Sequence, residues 1–175
     1  MGMFQRLLAT TLFGATLLGM GCGDTTVPGA PPPANKCGSC ARYESCLSSG
    51  LCGVNPNSTW AFTAVSATIA TMKTDGSTWD TLGGAPDPFV QIDTKKTTTK
   101  QDTFSPAWQE GAIYTATTLL NQGVQVTVYD EDIAANDLIG GPVTVRPTET
   151  DLRTGTLTVK NIGQVQSINF TLIAQ

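Results

Sequence analysis

The sequence predicts an all-β chain whose folded part is an eight-stranded antiparallel β-sandwich, preceded by a small disulfide-linked cysteine-rich knob. Three observations lead there. Short segments such as Val124-Gln-Val-Thr-Val128 and Ile168-Asn-Phe-Thr-Leu172 alternate apolar and polar residues, so each turns one face to a core. Glycine (18) and proline (10) punctuate the 175 residues, and long helical periodicity is absent. Hydrophobic residues make up 40% and charged residues 14%, a balance that supports a packed core and argues against disorder.

Taken in order, residues 60–72 form a long apolar-rich run whose parity slips near Ala64-Val65, as a β-bulge produces. Residues 89–92 and 113–116 read as strands, and a polar strand is expected at 97–100. Residues 143–145 and 157–159 are short alternating pieces. About eight short strands with turns between them fit two packed sheets, and no internal repeat is present.

Residues 1–21 read as a signal peptide. Arg6 gives a positive start, and 7–20 is uncharged, mostly apolar and short for a bilayer span. The segment ends Leu17-Leu18-Gly19-Met20-Gly21-Cys22. Small residues before a cysteine resemble a bacterial lipobox, although Met20 is larger than that pattern usually holds. The resemblance implies cleavage before Cys22 and acyl chains, palmitate among them, on its thiol and new amino group. An ordinary signal peptide cut nearby is the plainer alternative. Cysteine parity agrees with lipidation: of five cysteines, four cluster at 37–52 and Cys22 stands apart, so a thioether there consumes the odd thiol. Several acyl chains anchor stably, at about 0.8 kcal/mol per buried CH₂. Residues 22–36 are then the lipidated cysteine and a flexible Pro-rich tether. Gly23 stands where enteric lipoproteins retained in the inner membrane carry Asp, which points to the outer membrane of a Gram-negative cell envelope.

The cysteine-rich segment, 37–57, carries Cys37, Cys40, Cys46 and Cys52 in the spacing C-x₂-C-x₅-C-x₅-C. A zinc knuckle and a two-disulfide knot compete for it. An exported chain meets an oxidising compartment, which favours disulfides. Cys37 and Cys40 are expected each to reach Cys46 or Cys52, and the pairing stays open. So short a segment has no core of its own, so cross-links must hold it.

Composition narrows the function classes. The net charge of −4 and the lack of a basic block argue against nucleic acid as a partner. With no histidine, His-based triads and His-ligated zinc are excluded. An enzyme is not expected, since only carboxylate chemistry remains.

The carboxylates are the informative part. Asp87-Pro88-Phe89-Val90 opens one strand, Ser105-Pro-Ala-Trp-Gln-Glu110 forms a turn, and Asp130-Glu131-Asp132 with Asp137-Leu-Ile-Gly140 follows another strand. Asp130 and Asp132 sit two apart, so on extended backbone they point the same way, and Asp137 returns from a short loop. Converging carboxylates repel unless a cation neutralises them, and calcium takes six to eight oxygen ligands.

Together these motifs resemble the C2 domain of synaptotagmins and protein kinase C, over 58–175. The resemblance implies a C2-like sandwich with calcium as cofactor, Asp80 and Asp87 as first-loop ligands, and Asp130, Asp132 and Asp137 as third-loop ligands. Two offsets depart from the family pattern: Asp132 to Asp137 is one residue short and Asp80 to Asp87 one long, which leaves Asp75 as a rival to Asp80. By the same resemblance, Leu82 and Ile133 would occupy loop tips that can contact a membrane, and Lys95, Lys96 and Lys100 lie where a basic face can meet anionic lipid. Trp108 is expected to pack beneath its turn, and Glu110 to bond locally.

Two functions follow. One is a membrane-anchored lipoprotein whose C2-like domain binds calcium and, through it, anionic lipid or an envelope partner. The other is a structural or interaction lipoprotein whose aspartates only serve turns.

Overall fold

The computed structural model describes residues 37–80 and 84–175. The signal peptide (1–21), Cys22 with its tether (22–36) and Leu82 lie outside the described residues. Among the described residues, ten strands form three sheets. A hairpin of β1 (Glu44–Cys46) and β2 (Cys52–Val54) comes first. The sandwich strands are β3 (Thr59–Ile69), β4 (Pro88–Ile92), β5 (Lys95–Lys96), β6 (Ala107–Thr115), β7 (Val124–Asp130), β8 (Asp137–Val145), β9 (Thr156–Ile162) and β10 (Val165–Ala174). One sheet runs β6-β3-β10-β9 and the other β5-β4-β7-β8, with every pairing antiparallel. This is the expected eight-stranded sandwich.

The alternating residues meet between the sheets. Phe62, Val90, Ile92, Val128 and Ile168 are fully buried, and Phe62 stacks on Phe170 at 4.5 Å between ring centroids. The parity slip in β3 is a bulge: Ala64 pairs with Phe170 and Ser66 with Asn169, leaving Val65 as the extra residue. Apolar burial of this kind contributes about 25 cal/mol per Å² and outweighs the weak local preferences of short strands.

Residues 97–100 do not form the expected polar strand. Thr97 and Lys100 still donate their N–H to Val90 O (2.9 Å) and Pro88 O (3.0 Å) of β4, but between them side chains take the Thr98 backbone: the Trp108 indole donates to Thr98 O (2.9 Å), and Thr98 N–H donates to Glu110 Oε2 (2.8 Å). The edge strand is instead β5, just before them. Two short helical segments, Thr118–Gln122 and Glu149–Thr154, also lay below the reach of periodicity. In α1 (Glu149–Thr154), Thr148 and Asp151 cap each other reciprocally, and Leu152 enters the core.

The knob is closed by Cys37–Cys46 and Cys40–Cys52, one of the pairings left open by sequence. It is docked rather than loose. Arg153 of α1 reaches Glu44 (2.9 Å) and the Cys52 carbonyl (3.1 Å), and the Tyr43 and Trp60 rings meet in a T-shaped contact at 4.8 Å between centroids. Among the described residues no helix is long and apolar enough to cross a membrane.

Candidate metal centre

Strand register builds the acidic site. Pro88, the first residue of β4, pairs with Asp130 at the end of β7, and Asp130 pairs in turn with Asp137 at the start of β8. Three neighbouring strands therefore bring Asp87, Asp130 and Asp137 to one edge of one sheet. Like charges directly opposed in a ladder are unfavourable. Asp132 lies in the exposed loop beyond β7, where its N–H donates to Asn136 Oδ1 at 3.3 Å. Asp80 approaches from the β3–β4 connection. Gly84 leaves it room, since a Cβ at Gly84 would stand 2.8 Å from Asp80 Oδ2.

Asp130 is the centre of the arrangement. It is 1% exposed. Its Oδ1 accepts the Asp87 N–H at 2.6 Å, while its Oδ2, also buried, has no hydrogen-bond partner. Burial pushes its carboxyl up to about 6, the Asp87 N–H opposes that rise, and the charges of Asp132, Asp80 and Asp87 add to it. Asp80 is raised for the same reasons: burial first, then Asp87, Asp132 and Asp102. A buried carboxylate oxygen left unsatisfied and surrounded by other carboxylates is costly. A hard divalent cation satisfies such oxygens, so this donor set fits calcium.

The described structure brings Asp80, Asp87, Asp130 and Asp132 within electrostatic reach of one another, and holds Asp137 beside Asp130 by register. It does not close them into a tight cage. The trio of candidate ligand atoms within 4.8 Å of one another among the described residues belongs to Cys37, Cys40 and Cys52, and disulfides consume those sulfurs. The zinc reading of the knob has no thiolate left to stand on.

Three contributors escaped the sequence reading. Asp102 donates its N–H to Asp87 Oδ1 (2.6 Å) and accepts the Ala85 N–H (2.8 Å), so it orients the first-loop acid. Gly84 gives clearance. Lys73 pairs with Asp137 at 2.5 Å. None carries a local signal, because each acts through the folded arrangement of the loops. Asp75 resolves as a turn residue, its Oδ1 accepting the Ser77 N–H (2.9 Å) and hydroxyl (2.6 Å).

The remaining expectations divide. Trp108 is buried beneath its turn, and Glu110 bonds Thr98. Trp79, next to Asp80 in sequence, is buried and donates its indole N–H to Ala70 O at 2.9 Å. Lys96 is paired with Glu131 and lies over the Phe89 ring at 4.0 Å. Ile133 stands fully exposed at the tip beside Asp132.

A family model for the C2 domain matches residues 66–160, more than half of the chain. The chain belongs to the C2 domain family. No curated protein matches it. Among solved structures, one C2 domain aligns at 14% identity and TM-score 0.49, covering 67% of this chain and 98% of that one. A C2 domain of plant extended synaptotagmin 1 aligns at 19% identity and TM-score 0.46, covering 69% and 98%. The calcium-bound pair of C2 domains from extended synaptotagmin 2 aligns at 14% identity and TM-score 0.45, covering 69% of this chain and 47% of that one.

Proposed function

We propose that this C2 chain is a membrane-anchored lipoprotein that binds calcium at the β4, β7 and β8 ends and, through it, anionic lipid or a partner surface. The carrying observation is Asp130 Oδ2, buried and unpartnered among other carboxylates. Asp80, Asp87, Asp130, Asp132 and Asp137 would supply the oxygens. Calcium there would neutralise the carboxylates and present a positive face to a phosphate or carboxylate on the ligand. Asp130 and Asp87 are held by backbone hydrogen bonds and give the rigid side of the site. Asp132 is on the exposed loop beside Ile133, so that side is open to a ligand surface and offers an apolar tip to it. Cys22 would anchor the chain in the outer membrane, with the 22–36 tether separating the knob from the bilayer.

Calorimetric titration of calcium into wild type and the Asp130→Asn/Asp132→Asn double variant tests the metal reading. Heat is expected from wild type alone, and equal heats remove the proposal. Detergent-phase partitioning of wild type against Cys22→Ser tests the anchor, with loss from the detergent phase expected for the variant.

A further inference from the structure

Lys73 brings a cation to the acidic loops from outside the set of expected ligands. Its backbone is fixed by a turn in which Lys73 N–H donates to Ser77 O (2.9 Å) and Gly76 N–H to Lys73 O (3.0 Å). Gln164 Nε2 pins that turn through Thr74 Oγ1 at 2.6 Å. The side chain passes the buried Trp79 ring, with Nζ 5.4 Å from its centroid, and ends on Asp137 Oδ2 at 2.5 Å. The fields of Asp130 and Asp132 reach the same ammonium. One ammonium does not balance the carboxylates of Asp80, Asp87, Asp130, Asp132 and Asp137, and Asp130 Oδ2 stays unpartnered. Lys73 therefore holds part of the place of a cation without filling it. The pair has open space beside it, because Lys73 and Asp137 both line a cavity of about 310 Å³ with Thr74, Trp79, Leu138 and Gln164.

We propose that Lys73 is a tethered counter-ion that holds Asp137 in the metal-free chain, and that an incoming divalent cation must take this carboxylate from it. Lys73 thereby sets the calcium threshold of the site. This rests on the calcium reading above. Two effects act in the same direction: Asp137 is a committed ligand, and a fixed positive charge repels a divalent ion at short range.

The test is calcium calorimetry at pH 7.5 on the full chain in detergent, comparing wild type, Lys73→Met and Lys73→Arg. Lys73→Met keeps the stem beside Trp79 and removes the charge, so its dissociation constant should fall about three- to tenfold. Lys73→Arg keeps the charge and should stay within about twofold of wild type. Lys73→Gln repeats the measurement if the Met chain melts abnormally in chelator. Calcium binding with equal affinity in all chains overturns the counter-ion role and leaves the calcium reading standing. Tightening by Arg as large as by Met assigns the effect to packing and also overturns it. No calcium heat in any chain overturns both. Heat from Lys73→Met with none from wild type supports both, with Lys73 as the barrier.

Discussion

Replacing Asp130 by Asn separates stored charge from ordinary hydrogen bonding. The Asn carbonyl can still accept the Asp87 N–H that Asp130 Oδ1 accepts at 2.6 Å. Its amide then stands where Oδ2 lacked a partner, within the field of Asp132, Asp80 and Asp87. Burial lifts the Asp130 carboxyl from its ordinary 3.8 to about 6, so the folded chain holds this proton more tightly than the unfolded chain. The resulting cost of folding is absent below about pH 4, grows between pH 4 and 6, and is complete above that. That gap corresponds to roughly 3 kcal/mol as a ceiling, since water reaching the site would reduce it. In chelator at pH 7.5, Asp130→Asn should therefore be more stable than wild type by about 1–3 kcal/mol, or about 4 °C in Tm per kcal/mol. At pH 4 the difference should vanish.

Calcium should then act on wild type alone. With a dissociation constant on the order of 10⁻⁴ to 10⁻³ M, as for extracellular modules, about 10 mM calcium adds roughly 1.4–2.7 kcal/mol. The advantage of the variant should shrink by that amount. Urea denaturation in chelator and in calcium, at both pH values, measures all four quantities. A variant less stable than wild type in chelator at pH 7.5, by an amount that does not change with pH, would refute the reasoning. Asp130 would then be a structural hydrogen-bonding residue and not an uncompensated charge.

Two further outcomes follow from the same geometry. Calcium must displace the proton that Asp130 holds up to about pH 6, so affinity should fall about tenfold between pH 7 and pH 5, measured by calorimetry in buffers of matched ionic strength. A flat profile would remove Asp130 from the ligand set. Gly140→Ala should cost at least about 2 kcal/mol by urea denaturation, because the added Cβ would meet Ile162 O of the opposite sheet at 2.0 Å. A cost under about 0.5 kcal/mol would mean the two sheets can separate locally without penalty.

Much of the sandwich was legible because strand alternation is a local signal that burial amplifies. Val124-Gln-Val-Thr-Val128 and Ile168-Asn-Phe-Thr-Leu172 both lie inside strands, and the parity slip at Ala64-Val65 is a real bulge. Residues 97–100 misled because threonine-rich, polar sequence suits an edge strand, while the Trp108 indole and Glu110 carboxylate reach across from β6 and take the Thr98 backbone, so the ladder with β4 is interrupted there. The six-residue α1 was too short for its period to register, although its Thr148/Asp151 capping box was written in the sequence.

The acidic site divides along the same line. By itself the sequence determined which residues carry charge and which strand ends they flank, because these follow from spacing along one chain. Only the tertiary structure decided that Asp130 is buried with one oxygen unpartnered, that Asp102 orients Asp87, and that Lys73 sits on Asp137. The physical reason is distance along the chain: Lys73 and Asp137 are 64 residues apart, and their contact exists only once two sheets have packed and fixed the loops at their ends. Charge is a property of residues, but the field each one feels is a property of the fold.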